Sequence, residues 1–354
     1  MHVVYILTNL NRTAPNTVII NIIKNLNFPI KVISLGKTSS DNYLEFFKER
    51  KIEIYETKNI FEIGDICKNN IVHLNGYHPL IVGFFLKFFQ PSKIICTCHS
   101  NEISETRALD FRGLTLFKSK IKHLILPILY NSIDLVVAVS KDVSTYLASI
   151  GVKNVKMIYN GIEIHNVQKK QTTQMLRIVQ IGHIMPLKNQ LFSLELLDFL
   201  IKNGINVEMK FYGGIRDDQY FSKLLEFVKK NNLENQAKFV GNLSFDELFE
   251  DVSKGQICIM PSLSEGLPLS LLEAMSFGLA IIVSSEGGMK ELVENGKNGM
   301  VFDLADQFAN NKIFDYIQSL KFYGDGDDAK NFVENNFTSL AMSNKYVEVY
   351  ENDY

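Results

Sequence analysis

The 354-residue chain has only four cysteines, Cys67, Cys96, Cys98 and Cys258, and they form neither a C-x-x-C pair nor a recurring spacing. That argues against a disulfide-framed secreted scaffold and a cysteine-built zinc module; buried thiols in a reducing cytosol are expected instead. Cys96 and Cys98 sit in an apolar run, where alternate residues face one side of a strand, so packing accounts for them. No apolar run approaches the roughly 20 residues of a membrane span. The longest, Pro79 to Phe89, is interrupted by Lys87. The opening residues, Met1-His-Val-Val-Tyr-Ile-Leu-Thr8, have no basic leader and read as a first strand rather than a signal peptide. No G-x-G-x-x-G follows that strand, which disfavours a nicotinamide-dependent oxidoreductase. Low-complexity tracts and repeats shorter than a domain are also missing.

What is present is the composition of a soluble globular protein, 46% hydrophobic and 21% charged, long enough for two cores. The net charge of −2 hides an asymmetry: residues 1–165 carry 19 Lys and Arg against 13 Asp and Glu, leaving 18 against 26 in the remainder. A basic half joined to an acidic half suggests that one half faces an anionic surface. Short β-branched runs (Val3–Thr8, Lys31–Leu35, Ile52–Tyr55, Ile71–Leu74, Lys93–Cys98, Leu135–Val139) alternate with helical stretches. The pattern restarts after a polar break, residues 166–174. Alternation of this kind predicts two α/β doubly wound domains, 1–165 and 172–335, each with ligand-binding loops at the carboxyl ends of its strands. A last helical segment runs from about Asp328 to Tyr354.

The most informative stretch is Pro261-Ser-Leu-Ser-Glu-Gly-Leu-Pro-Leu-Ser-Leu-Leu-Glu273, followed by Ala274-Met-Ser-Phe-Gly278 and Glu286-Gly-Gly288. Two glutamates, Glu265 and Glu273, bracket a Gly266-Leu267-Pro268-Leu269 turn that opens a helix. The turn leaves unpaired backbone N–H groups at a helix N-terminus, which favours a phosphate. Pro268 suits the first helical position. Glu265 can accept hydrogen bonds from sugar hydroxyls, and Glu273 can hold a ribose diol in the same way. The plainer alternative is a helix start with two solvated carboxylates. The whole block resembles the E-x7-E region of the GT4 family of retaining glycosyltransferases, which have the GT-B fold. That resemblance is strong between about Phe239 and Phe302 and weak elsewhere. It implies two Rossmann-like domains facing each other across a cleft, with a C-terminal helix, about 336–354, crossing back onto the first. The first domain would bind the acceptor and the second the nucleotide sugar.

The resemblance also suggests roles elsewhere. In Ile181-Gly182-His183-Ile-Met-Pro-Leu-Lys188 the family has an arginine and then a lysine that neutralise the donor diphosphate; Lys188 matches, but His183 stands at the arginine position. A neutral imidazole donates one hydrogen bond where guanidinium offers a charged fork. Gly213, in Phe211-Tyr-Gly-Gly214, allows close approach of backbone to ligand, and Phe239-Val-Gly241 does the same. The loop after the first strand, Thr8 to Asn16, lacks the family's paired glycines but contains Arg12, which is proposed to supply the charge missing at His183. Thr13 and Pro15 also fit a plain helix start. His99, at the end of a strand, resembles the family histidine beside the transferred sugar; the alternative is a strand-end histidine bonded to backbone. His73 and His78 are expected to line the acceptor side. No carboxylate or cysteine pattern completes a metal site around these histidines, so neither metal nor cofactor is expected.

Residues 107–130 interleave Arg112, Lys118, Lys120 and Lys122 with leucine, isoleucine and phenylalanine, the composition of a segment that lies on anionic headgroups or of an ordinary amphipathic surface helix. The expectation drawn from all this is a hexosyltransferase-type enzyme, cytoplasmic and peripheral on the inner face of the plasma membrane. Its partners would be a UDP- or GDP-sugar and a glycan or lipid-linked acceptor, and no nucleic acid. The rivals are a same-fold epimerase or phosphorylase, and a catalytically silent sugar-nucleotide-binding subunit.

Overall fold

The computed structural model describes residues 2–39, 42–108, 113–165, 175–320 and 326–352; the side chains of residues 107, 108, 113–119 and 245 are outside the description. The chain divides into two compact units. The first comprises Met1–Ile103, Phe111–Glu163 and Ser339–Tyr354; the second comprises Ser104–Asp110 and Ile164–Thr338.

The first unit is built on seven parallel strands: β1 (Val3–Leu7), β2 (Ile30–Ser34), β3 (Glu53–Glu56), β4 (Ile71–Asn75), β5 (Lys93–Cys98), β6 (Leu135–Ala138) and β7 (Val155–Met157). Their order is β3-β2-β1-β4-β5-β6-β7. The connecting helices are α1 (Ala14–Ile23), α2 (Leu44–Glu49), α3 (Ile60–Cys67), α4 (Tyr77–Leu86), α5 (Glu102–Ala108), α6 (Gly113–Asn131) and α7 (Lys141–Ser149). Strands β1, β4, β5 and β6 are buried at every position, as parallel strands covered on both faces must be. Thr13 caps α1, its side chain accepting from Asn16 N, and Pro15 occupies the first turn. Chain order reverses between β1 and β4, so the loops after these strands diverge and leave a crevice.

The second unit has a six-stranded parallel sheet in the order β10-β9-β8-β11-β12-β13. Its strands are β8 (Leu176–Ile181), β9 (Val207–Tyr212), β10 (Ala237–Gly241), β11 (Ile257–Met260), β12 (Ala280–Ser284) and β13 (Met300–Phe302). Its helices are α8 (Gln190–Lys202), α9 (Asp218–Lys230), α10 (Phe245–Val252), α11 (Leu269–Ser276), α12 (Ala309–Ser319) and α13 (Asp327–Asn336). Asp217 caps α9, and Ser244 with Glu247 forms a capping box on α10. Here the switch point lies between β8 and β11.

Three details differ from the sequence reading. The C-terminal segment is two helices, α13 and α14 (Ser339–Glu351), because Phe337 leaves the helical region at φ −129° and interrupts the run. Helix α14 belongs to the first unit and packs on α1, with Ser339 N donating to Ile162 O at 2.7 Å. The strands β7 and β13 were not anticipated, since three residues at a sheet edge carry too short a pattern. His73 does not line an acceptor site: it is fully buried, with Nδ1 2.7 Å from Tyr350 Oη and Nε2 2.8 Å from Thr97 Oγ1. Tyr350 and Tyr346 come from α14, so this histidine helps to fasten that helix to the sheet. Burial holds its pKa down to about 3, so it is a neutral core residue.

Candidate active site

In the second unit the loops leaving β8, β9, β11 and β12 are interlocked. Ile184 N donates to Gly214 O and Arg216 N to Ile184 O, both at 3.0 Å, which zips the β8 loop to the β9 loop. Gly213 permits this approach: it has φ +134°, and a Cβ there would lie 2.3 Å from Gly182 O. Leu263 N donates to Leu187 O at 2.8 Å, joining the β8 and β11 loops. Gly287, at φ +63°, lets the β12 loop close over Glu265, since a Cβ would fall 2.0 Å from Glu265 O. Gly288 N donates to that same oxygen at 3.0 Å.

These contacts hold two charges together. Lys188 Nζ is ion-paired with Glu265 Oε1, and the two side chains are only 18% and 11% exposed. Ser262 Oγ donates to the same carboxylate oxygen at 2.9 Å. Behind Lys188, the buried Gln180 amide donates to Lys188 O at 2.7 Å and accepts from Ser193 Oγ at 2.7 Å. Lys188 therefore does not wave in solvent; its backbone is bolted to β8 and α8.

Helix α11 begins at Leu269, one residue later than expected, with Pro268 at the N-cap in an extended conformation. A proline cap has no side-chain acceptor, so the N–H groups of Leu269 and Ser270 make no hydrogen bond among the described residues. Gly266 and Leu267 are buried in the turn before the helix. Ser264 Oγ is also buried without a partner. Glu273 lies about one turn into the helix. Its carboxylate has no ion-pair or hydrogen-bond partner among the described residues, and the surrounding protein pushes its pKa up to about 7 by desolvation. Although its surface is only partly buried, the crowding around it dominates. Free amides, an adjacent lysine and an unpartnered carboxylate suit a ligand with both anionic and hydroxyl groups.

His183 is half-buried, and Nδ1 is buried without a partner. Burial, then Arg216 and Lys188, lowers its pKa, so the ring is neutral and adds no charge. Arg216 is exposed and has no ion-pair partner among the described residues. The sequence reading had not singled it out, and only its place just after the Gly-Gly of the β9 loop could have flagged it.

In the first unit, His99 follows β5 and its Nε2 lies 2.5 Å from Asn75 Oδ1, at the end of the neighbouring β4. Burial lowers its pKa to about 4. Arg12 is already engaged: its Nε donates to Asn42 O at 3.2 Å and its guanidinium lies over the Tyr43 ring, 5.1 Å from the centroid. His78 is exposed at the start of α4 beside Tyr77. In α6, Lys122 is likewise occupied, paired with Glu102 at 2.6 Å and placed 4.2 Å from the Tyr77 ring centroid, whereas Lys120 is exposed. Arg112 and the side chain of Lys118 lie outside the described residues. Among the described residues no helix is long and apolar enough to cross a membrane.

Two family models account for most of the chain. Residues 46–166 match the Glycosyltransferase Family 4 model and residues 162–336 match the Glycosyl transferases group 1 model. The chain belongs to the GT4-type glycosyltransferases of the GT-B fold. It is accordingly an enzyme of the hexosyltransferase type, EC 2.4. This GT4-type chain is 25% identical to the O-antigen biosynthesis glycosyltransferase WclY of Escherichia coli over 99% of its own length and 98% of the relative's. It is 27% identical to the UDP-Gal:alpha-D-GlcNAc-diphosphoundecaprenol alpha-1,3-galactosyltransferase of Escherichia coli, over 36% of this chain and 32% of that one. Among solved structures, Anabaena Alr3699/HepE in complex with UDP and glucose superposes with a TM-score of 0.83 at 17% identity, covering 99% of both chains, which establishes the fold.

Proposed function

We propose that this glycosyltransferase moves a sugar, with retention of configuration, from a nucleotide diphosphate sugar to a hydroxyl of a lipid-linked or growing bacterial surface polysaccharide. The observation that carries the donor reading is the second unit's loop cluster, where Lys188, the free amides of Leu269 and Ser270, and the unpartnered Glu273 converge on one end of the sheet. Diphosphate charge suits the lysine and the helix amides; a ribose diol suits Glu273. WclY by its name acts in O-antigen biosynthesis, which supports a polysaccharide acceptor, and the galactosyltransferase relative by its name uses UDP-Gal and a lipid-linked acceptor, which supports a UDP-sugar donor.

In this reading the leaving diphosphate is stabilised by the α11 amides and Lys188, the main catalytic contribution, and itself helps to take the acceptor proton on the front face. Glu265 is proposed to contact the donor sugar, and His99 to offer a hydrogen bond to a sugar hydroxyl at the crevice of the first unit; Gly182, Gly213 and Gly266 to Leu269 shape the donor pocket. No metal or other cofactor is needed for these steps, since lysine and helix amides supply the positive charge. Incubation with a panel of UDP- and GDP-sugars tests the assignment. One of them should be hydrolysed slowly to the nucleoside diphosphate, and conversion to an epimer instead would make this an epimerase.

The enzyme is further proposed to work on the cytoplasmic face of the membrane. Ile121, Leu124, Ile125 and Ile128 occur at i, i+3, i+4, i+7 along α6, and all are exposed, Leu124 at 76% and Ile128 at 61%. The neighbouring α4 and the turn after it expose Phe84, Phe85 and Phe88. Outward apolar side chains beside the exposed Lys120 suit an anionic lipid surface.

A further inference from the structure

The crevice loops of the first unit are tied to His99 through two buried amides. Asn16 Nδ2 donates to the main-chain oxygens of Asn9 and Asn11, both at 2.9 Å. Carbonyl oxygens only accept, so the Asn16 atom facing them is its nitrogen whichever way the amide is drawn. Its Oδ1 is then the atom 3.0 Å from Asn75, and an oxygen there requires a donor, so Asn75 turns Nδ2 toward Asn16. That leaves Asn75 Oδ1 facing His99 Nε2 at 2.5 Å. The oxygen accepts, so Nε2 carries a proton. The other ring nitrogen, Nδ1, makes no hydrogen bond among the described residues, and the ring is only partly covered.

We propose that the Asn16–Asn75 relay fixes His99 as the Nε2–H tautomer, so that the Nδ1 lone pair is the atom offered to a hydroxyl group of a bound sugar. Burial of the ring, which disfavours its second proton, keeps that lone pair free near neutral pH. Asn75 is thus a positioning residue, since it acts through His99. Asn16 makes the same relay report the position of the loop that carries Asn9 and Asn11, because moving that loop breaks the two bonds that orient the first amide. The sugar-facing half of this proposal rests on the function argued above; the tautomer half does not.

The two halves separate in one experiment on the full-length enzyme, long-range proton–nitrogen correlation of 15N-histidine-labelled protein at pH 7.5, with the His99 signals identified by their loss in His99→Gln. The wild type should show a pyrrole-type Nε2 and a pyridine-type Nδ1. A pyrrole-type Nδ1 would overturn the relay without any variant having to fold. Asn75→Leu should turn the single tautomer into a mixture; an unchanged His99 pattern in a folded Asn75→Leu protein would equally overturn it. On titration with UDP-glucose, the wild-type Nδ1 resonance should move in the direction of hydrogen-bond acceptance. Binding that shifts other histidines but leaves Nδ1 in place would overturn the sugar-facing half. Failure to bind any UDP- or GDP-sugar would count against the proposed function and leave the tautomer result standing.

Discussion

Lys188 and Glu265 are ion-paired with each other at the end of the second sheet, and both are largely buried. Under the proposed function a diphosphate reaching Lys188 would have to compete with that carboxylate and would release Glu265 toward the sugar. Glu265→Gln removes the competitor but keeps the shape and one acceptor oxygen. UDP should then bind at least as tightly as to wild type, up to about tenfold tighter, while turnover falls by about tenfold or more. A variant with full turnover would reduce Glu265 to a structural partner of Lys188. Lys188→Met, in contrast, strands a buried carboxylate and should lower unfolding free energy by about 1–3 kcal/mol as well as weaken UDP binding, measured by denaturation and calorimetry.

Glu273 gives a pH signature. Its pKa is about 7 in the fold against an ordinary 4.5, so between those values the folded state holds the proton more tightly than the unfolded chain. Its contribution to stability therefore declines as pH rises from about 4.5 to 7. Glu273→Gln should raise the melting temperature at pH 8 more than at pH 5, reflecting on the order of 2 kcal/mol after discounting for partial exposure. Because an ionised carboxylate accepts hydroxyl hydrogen bonds better, UDP-glucose affinity should rise from pH 6 to pH 8 in wild type and stay flat in Glu273→Gln. Parallel profiles would remove Glu273 from the ribose site.

Arg216 and Arg12 compete for the role that a neutral His183 leaves open. Arg216 shares a loop zipper with His183 and is exposed, whereas Arg12 is held by Asn42 and Tyr43. Arg216→Ala should weaken UDP binding by about tenfold and reduce its dependence on salt. If Arg12→Ala produces the loss and Arg216→Ala does not, the charge comes from the first unit instead.

The exposed face of α6 predicts membrane adsorption. Wild-type protein should sediment with vesicles of anionic phospholipid at low salt, and a Lys120→Ser, Leu124→Ser, Ile128→Ser variant should not, with each basic group near the surface contributing about 1 kcal/mol. Hydrolysis of donor in solution should persist in the variant. Wild-type protein that ignores such vesicles would favour a soluble acceptor.

The sequence made the two parallel sheets legible because buried parallel strands are continuous β-branched runs, as in Ile-Ile-Cys-Thr-Cys98 and Ala280-Ile-Ile-Val. The turn around Gly266 and Pro268 was legible too, because a helix start has a local chemistry. What stayed hidden depends on contacts between distant segments. The pairing of Lys188 with Glu265 spans 77 positions, and the burial of His73 by Tyr346 and Tyr350 depends on a helix about 270 residues away. Asn75 gave a faint signal as a polar residue closing an apolar strand, but its relay partner Asn16 sits on a different element. The break at Phe337 escaped notice because neither glycine nor proline marks it.

The most direct test of the account is isothermal titration of the full-length enzyme with UDP and with GDP, repeated on Glu273→Ala. The account predicts that one of the two nucleotides, UDP by preference, binds at a single site and that Glu273→Ala weakens it about ten- to hundredfold, the worth of a charge-assisted hydrogen bond of roughly 1.5–3 kcal/mol. Absence of binding to both nucleotides, or binding untouched by Glu273→Ala, would contradict a donor site built on the second unit's loop cluster.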